Sequence, residues 1–154
     1  MRRLGLCLLA ATMAAFLCGC EDDTTDTTET VDVGPPTMEL VSPVEGACVA
    51  IGDDPDTRLP FILKTSALYL RPPGICGDAV QCGQLLLWAN DKLYQRSSTN
   101  VIDWELSSVI NRYGEFLIKI EAVTDAGDPI LDADGAPLVA TRTITTAVSC
   151  EASR

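Results

Sequence analysis

Beyond residue 36 the chain consists of short apolar runs separated by clusters of glycine, proline and aspartate, and this pattern constrains its fold most strongly. No stretch of twelve residues there repeats apolar side chains at the helical period. Short runs bounded by turn-forming residues are typical of β-strands. The runs are 38–41, 47–51, 59–70, 84–89, 92–96, 101–106, 115–121 and 139–148. The sequence therefore predicts an all-β domain at 37–154, with about seven strands in two packed sheets.

Two of these runs predict different environments for their strands. Residues 85–88 place bulky apolar side chains on both faces, which indicates a central, covered strand. In 115–121, Phe116, Ile118 and Ile120 alternate mainly with charged residues, which predicts a strand with one face in water. Asn90 and Asp91 predict a turn that returns the chain into the run 92–96.

The first 19 residues have the order of a secretory signal. Arg2 and Arg3 precede an uncharged apolar segment of 14 residues at 4–17, which is shorter than the ~18–20 residues that a transmembrane helix needs. The segment ends in Leu17-Cys18-Gly19-Cys20. This tetrapeptide resembles the lipobox of bacterial lipoproteins, in which an aliphatic residue, a small residue and glycine or alanine precede a cysteine.

The lipobox resemblance implies that 1–19 is a cleaved signal peptide and that Cys20 is the site of lipidation. In that family a diacylglyceryl group is attached to the cysteine thiol, and the new amino terminus usually receives a fatty acid such as palmitate. Each buried methylene contributes about 0.8 kcal/mol, so two or three chains anchor a protein firmly. We expect a lipid-anchored protein of the cell envelope, with the outer membrane favoured. The alternative is an ordinary signal peptide that contains cysteines.

Residues 20–36 predict a lipidated cysteine followed by an acidic, threonine-rich linker. The net charge is −11, which becomes −13 without Arg2 and Arg3, and six acids in 21–32 leave −7 for the domain. Such a surface argues against binding nucleic acid or anionic lipid by charge. The charge also favours solubility.

Four cysteines remain once the signal segment and Cys20 are set aside: Cys48, Cys76, Cys82 and Cys150. An even number in an exported domain implies disulfides, and four cysteines allow three connectivities. A disulfide between Cys76 and Cys82 would close a short local loop. That pairing would leave Cys48 to pair with Cys150. A zinc site is the competing interpretation, but the spacing is not C-x₂-C and the chain contains no histidine.

The domain resembles the immunoglobulin-like domains of bacterial surface lipoproteins. The resemblance lies in 41–46, in the Tyr-Gly and alternating residues of 113–120, in 125–127, and in Trp88 on a central strand. It implies a two-sheet immunoglobulin-like sandwich with Trp88 as the buried core tryptophan. The predicted disulfides differ from the usual pair between the sheets.

The sequence carries no recognisable catalytic equipment, so we expect no enzyme activity and no cofactor. Without histidine, Ser-His-Asp and Cys-His arrangements are excluded, and no glycine-rich phosphate loop is present. A spatial pair of carboxylates, as in a hydrolase, stays an alternative. Asp132 and Asp134 are weak candidates for calcium in an adhesion-type domain, although a tight turn explains them, as it does the acids of 53–56.

The best candidate for a partner surface is the loop 70–82 together with Tyr69. The loop carries Pro72, Pro73 and Ile75, which a polar surface loop does not require. We therefore expect a non-catalytic binding or structural module. Its partners would be the membrane, through the lipid, and another envelope protein or a glycan, with no nucleic acid.

Overall fold

A computed structural model describes residues 34–109 and 111–150. They form nine strands and one 3₁₀ turn, with no α-helix among them. The strands are β1 (Thr37–Ser42), β2 (Cys48–Ala50), β3 (Arg58–Ser66), β4 (Tyr69–Leu70), β5 (Cys82–Ala89), β6 (Lys92–Ser97), β7 (Val101–Glu105), β8 (Gly114–Val123) and β9 (Val139–Ala147), and the turn is Leu106–Ser108. Within these ranges, no helix is long and apolar enough to span a bilayer.

The strands form two sheets. The smaller sheet has the order β1-β3-β7 and is antiparallel. The larger sheet has the order β2-β9-β8-β5-β4, with β6 also paired to β5, and it is curled into a half-barrel. Its β2–β9 and β4–β5 pairs are parallel, and its other pairs are antiparallel. The prediction of an all-β fold with two sheets is confirmed.

One hydrophobic core joins the two sheets. Alternate side chains are buried at 59–63 in β3 and at 116–122 in β8, as the two-residue period of a strand requires. The main core side chains are Leu40, Leu59, Phe61, Leu63, Leu85, Leu87, Ile102, Trp104, Phe116, Ile118, Ile120 and Ile144. The predicted inward set of the strand at 115–121 is therefore confirmed.

The core tryptophan is Trp104, and the expectation that Trp88 fills this role is wrong. Trp104 is 1% exposed, and its ring lies 5.2 Å from that of Tyr94 and 5.5 Å from that of Phe116. On β5, Leu85 and Leu87 point into the core, so Trp88 points to the opposite face of the sheet. There Trp88 is partly buried, and the Lys119 ammonium lies 4.7 Å from its ring centroid.

Asn90 and Asp91 form the predicted turn between β5 and β6. Both have positive φ, 48° and 63°, which a two-residue type I′ hairpin turn requires and which Asn and Asp tolerate well. The side chain of Asn90 also accepts the backbone N–H of Leu117 at 2.9 Å. The turn thus fixes the register of β6 against β5.

Both predicted disulfides are present in the described part of the chain. Cys48 pairs with Cys150, 102 positions apart, with a Cα–Cα distance of 5.9 Å. Cys76 pairs with Cys82, with a Cα–Cα distance of 5.4 Å. Cys20, the predicted signal segment at 1–19 and residues 21–33 of the predicted linker lie outside the described residues.

Candidate functional site

The candidate site lies at the end of the domain where the described chain begins, which we call the linker end. The strand pairings bring together here the start of β1, the end of β3, the start of β5, the end of β8 and the start of β9. Thr37 pairs with Ser66 in one sheet, and Gln84 pairs with Val123 in the other. The Gln81 side chain donates a hydrogen bond of 3.0 Å to the Gly34 carbonyl. The loop 70–82 is therefore in contact with Gly34, the first described residue.

A disulfide and backbone hydrogen bonds hold the loop 70–82 in place. The Cys76–Cys82 bond closes its second half. The N–H of Tyr69 donates to the Gln81 carbonyl at 2.8 Å, and the N–H of Arg71 donates to the Gly83 carbonyl at 3.0 Å. Both ends of the loop are thus attached to the start of β5.

The Asp125 carboxylate attaches the same loop to the turn after β8. One of its oxygens accepts the backbone N–H of Cys76 at 2.9 Å, and the other accepts the Gln84 amide at 3.5 Å. Gln84 is buried, 4% exposed, on the same strand as Cys82. Asp125 therefore holds the disulfide loop and the turn after β8 together.

Close approach of the backbone at this point requires glycine at position 83. A Cβ added to Gly83 would lie 1.8 Å from the Val123 carbonyl oxygen and 3.1 Å from the Thr124 Cα. These are backbone atoms, so a side chain cannot be accommodated by a rotamer change. The start of β5 and the end of β8 are therefore packed directly against each other below the loop.

The predicted partner residues all lie on the surface of the loop or beside it. Ile75 is 68% exposed and Tyr69 is 48% exposed, while Pro72 and Pro73 are also exposed. Exposure of apolar side chains on a constrained loop makes them accessible to a partner. None of the four lines the cleft described next.

A cleft of about 510 Å³ lies between the disulfide loop and the segment that follows β8. Val80 is 76% exposed and Leu131 is 49% exposed, and both line it. The remaining lining residues are Gly77, Asp78, Ala79, Thr124, Ala126, Asp128 and Pro129. The lining is thus mainly apolar, with two carboxylates. This cleft was not predicted from the sequence, although Val80, isolated among small and polar residues, is a signal for it.

Asp132 and Asp134, the weak metal candidates, lie in a tight turn. Asp132 Oδ1 accepts the backbone N–H groups of Asp134 and Ala136, each at 2.9 Å. The turn is closed by the Gly135 N–H, which donates to the Asp132 carbonyl at 3.2 Å. Within 34–109 and 111–150, no group of three or more acidic or cysteine side chains is arranged to hold a metal ion. The turn accounts for the Asp132 carboxylate by backbone hydrogen bonding, and Asp134 contributes its N–H to it.

The acidic loop after β2 is fixed by the segment that precedes β8. The Arg112 guanidinium donates to the carbonyls of Asp53 and Asp54, and the Tyr113 hydroxyl donates to the Gly52 carbonyl at 3.0 Å. Asp54 Oδ1 accepts the N–H of Asp56 at 2.9 Å. The acids of this loop are therefore part of a structural turn at the end of the domain opposite the linker end.

Asp56 and Glu105 are one candidate, among the described residues, for the spatial carboxylate pair that a hydrolase needs. Asp56 and Glu105 line a small cavity of about 210 Å³ with Arg58 and Ser107. Arg58 forms an ion pair of 2.6 Å with Glu105, between side chains that are more than half exposed. The arrangement is typical of a surface ion pair on neighbouring strands.

The chain matches no protein-family model and no curated protein. Any function assigned to it therefore depends on its own residues and contacts.

Proposed function

We propose that the chain is a lipid-anchored lipoprotein of the cell envelope, favoured at the outer membrane, that displays a non-catalytic immunoglobulin-like binding module. The observation that carries the proposal is the loop 70–82, whose second half is closed by the Cys76–Cys82 disulfide. The loop exposes Pro72, Pro73 and Ile75 on a β scaffold, beside the exposed Tyr69. Its partner is another envelope protein or a glycan.

The strand order supports an immunoglobulin-like sandwich. In the immunoglobulin fold, strands A, B and E share one sheet, and strands G, F, C and C′ share the other. Assigning β1, β3 and β7 to A, B and E, and β9, β8, β5 and β6 to G, F, C and C′, reproduces both neighbour orders. The chain departs from antibody domains in two respects: its core tryptophan is on β7 instead of β5, and its disulfides do not join β3 to β8.

The lipid anchor is supported by the sequence and by the chemistry of the domain. Cys20 follows a short apolar segment in a lipobox context, and its lipidation leaves four cysteines. Those four pair as two disulfides, which persist in oxidising compartments such as the bacterial envelope. The acidic linker between Cys20 and the domain then separates the module from the bilayer.

The anchor is tested by Cys20→Ala in the full chain. We expect the variant to accumulate as an unprocessed precursor without lipid, measured by intact mass and by metabolic labelling with a palmitate analogue. Cys18→Ala is the matched control, because it changes a neighbouring cysteine to a residue that the lipobox allows. Normal processing of the Cys20 variant would contradict the anchor.

The binding surface is tested by the double variant Pro73→Ser and Ile75→Ser. We expect loss of partners recovered by crosslinking and pull-down from intact envelopes, with an unchanged melting temperature because both side chains are exposed. Val44→Ser is the matched control, since Val44 is 64% exposed away from the loop. Equal recovery of partners by the double variant would exclude this surface.

A further inference from the structure

The cleft between the disulfide loop and the segment after β8 has the geometry of a preformed binding site. Its volume of about 510 Å³ falls in the ~300–1,000 Å³ range of ligand pockets. The Cys76–Cys82 disulfide and the hydrogen bonds to Asp125 fix one wall. A wall that is already ordered lowers the entropy lost on binding.

The lining selects for a ligand that is both apolar and cationic. Val80 and Leu131 expose aliphatic surface in the cleft, and Pro129 lines it beside them. Asp78 and Asp128 are exposed residues that also line it, while no lysine or arginine within 34–109 and 111–150 does. Aliphatic side chains flanked by lysine or arginine complement both properties.

Charge also decides against two other occupants. The six acids of 21–32 would be repelled by Asp78 and Asp128, so the chain's own linker is a poor ligand. An anionic lipid surface is repelled in the same way, because Asp132 and Asp134 add two more acids at the linker end. A basic polypeptide is attracted by all of these groups.

We propose that this cleft binds a basic, aliphatic polypeptide segment of an envelope protein that lies close to the membrane. This inference rests on the proposed lipid anchor, because the tether sets the distance. The 14 residue-to-residue steps from Cys20 to Gly34 span at most about 50 Å when fully extended. The cleft is at the linker end, so its ligand lies within roughly that distance of the bilayer.

The test uses the full mature chain in phosphatidylcholine nanodiscs and a fluorescein-labelled peptide, Lys-Leu-Lys-Val-Lys-Leu. Fluorescence anisotropy should show saturable binding that empty nanodiscs lack. A peptide with glutamate in place of each lysine should bind at least about tenfold more weakly. Binding of both peptides with equal affinity would overturn the proposed charge complementarity, and absence of saturation up to about 1 mM would overturn the site.

Two pairs of variants separate the cleft from general attraction to an acidic protein. The pair Val80→Ser and Leu131→Ser should raise the Kd about tenfold or more, whereas Val44→Ser, on another surface, should not change it. The pair Asp78→Asn and Asp128→Asn should have a similar effect. Equal weakening by Val44→Ser would overturn the role of the cleft's aliphatic side chains.

A charge-matched control completes the design. Glu39→Gln with Asp103→Asn removes two exposed carboxylates from the smaller sheet, away from the cleft. This control should change the Kd by less than about twofold. If it weakens binding as much as the cleft pair does, non-specific electrostatics explains the peptide and the proposal fails.

Hydrogen exchange and mass distinguish the remaining outcomes. The peptide should slow exchange in 77–80 and 124–131. If these segments already exchange more slowly in nanodiscs than in mild detergent before peptide is added, the bilayer occupies the cleft and the proposal is wrong. Intact mass reports lipid on Cys20 separately, so an unlipidated chain contradicts the anchor while the peptide titration proceeds in buffer.

Discussion

The two disulfides are expected to stabilise the domain unequally, and the sizes of their loops set the difference. Cys48–Cys150 closes a loop of about 100 residues, and Cys76–Cys82 closes one of about seven. In the chain-entropy model a crosslink restricts the unfolded state, so the stabilisation grows with loop length. The model gives about 4.7 kcal/mol for the long loop and about 2.3 kcal/mol for the short one.

These free energies convert into shifts of melting temperature. Unfolding entropy is about 2.1 cal/mol/K per residue, which is roughly 0.24 kcal/mol/K for the 116 residues described. Replacing Cys48 and Cys150 by serine should then lower the melting temperature by about 19 °C. Replacing Cys76 and Cys82 should lower it by about 10 °C.

Circular dichroism melts of the two serine double variants, compared with the unaltered chain, check this prediction. Intact mass before and after thiol labelling confirms that the remaining disulfide is formed in each variant. The reasoning is refuted if the variant without the long-range disulfide melts at the same temperature as the variant without the local one, or above it. Such a result would place the stabilisation in the folded loop 70–82 instead of in the unfolded chain.

Three further substitutions test individual contacts. Gly83→Ala should destabilise the domain by at least about 1–3 kcal/mol in urea titrations, because its Cβ would overlap the Val123 carbonyl; unchanged stability would contradict the close approach. Trp104→Ala should lower the unfolding free energy by about 3–5 kcal/mol, and Trp88→Ala should lower it by less than half as much; the reverse order would refute the assignment of the core tryptophan. Tyr113→Phe should reduce stability by roughly 0.5–1.5 kcal/mol through loss of hydrogen bonds to the acidic loop, and a melting temperature equal to that of the unaltered chain would show that they contribute nothing.

The strands were largely predictable because their signals are local. The runs at 38–41, 84–89 and 139–148 each correspond to a strand within about two residues, and the turn at Asn90 and Asp91 follows from residues that tolerate positive φ. The run at 59–70, which predicts either one long strand or two broken ones, is divided into β3 and β4. Ala67 has a φ of 52° at this interruption, and the sequence does not predict a positive φ at an alanine.

The identity of the core tryptophan was less accessible, although part of its signal is present. In β5 every residue from 85 to 88 is bulky and apolar, so the sequence does not distinguish its two faces. In β7, Ile102 and Trp104 alternate with Asp103 and Glu105, which marks the buried face by the two-residue period. The alternation in β7 is a clearer sign of a buried face than the overall apolarity of β5, and it identifies Trp104 as the core tryptophan.

The cleft could not be predicted from the sequence, because it depends on contacts between distant segments. Residues 77–80 and 124–131 are separated by more than 40 positions and meet only through the pairing of β5 with β8. The sequence predicts that Asp125 lies in a turn. It does not reveal that the Asp125 carboxylate accepts a hydrogen bond from the Cys76 N–H on the opposite wall of the cleft. The composition of loop 70–82 was enough to identify it as a candidate surface. The neighbouring cleft also needs the segment 124–131, which only the tertiary structure places beside the loop.

The Cys48–Cys150 disulfide has a mechanical consequence for a tethered domain. Tension applied between Gly34 and any residue beyond Cys150 passes through the sulfur–sulfur bond, because that bond bridges the two chain segments. Residues 49–149 form the loop that this bond closes, so tension does not run along their backbone. Only β1 and the segment up to Cys48 can be extended, and β1 must slide along β3 against its whole ladder of hydrogen bonds. The disulfide thus confines extension under a pulling force to the segment between Gly34 and Cys48.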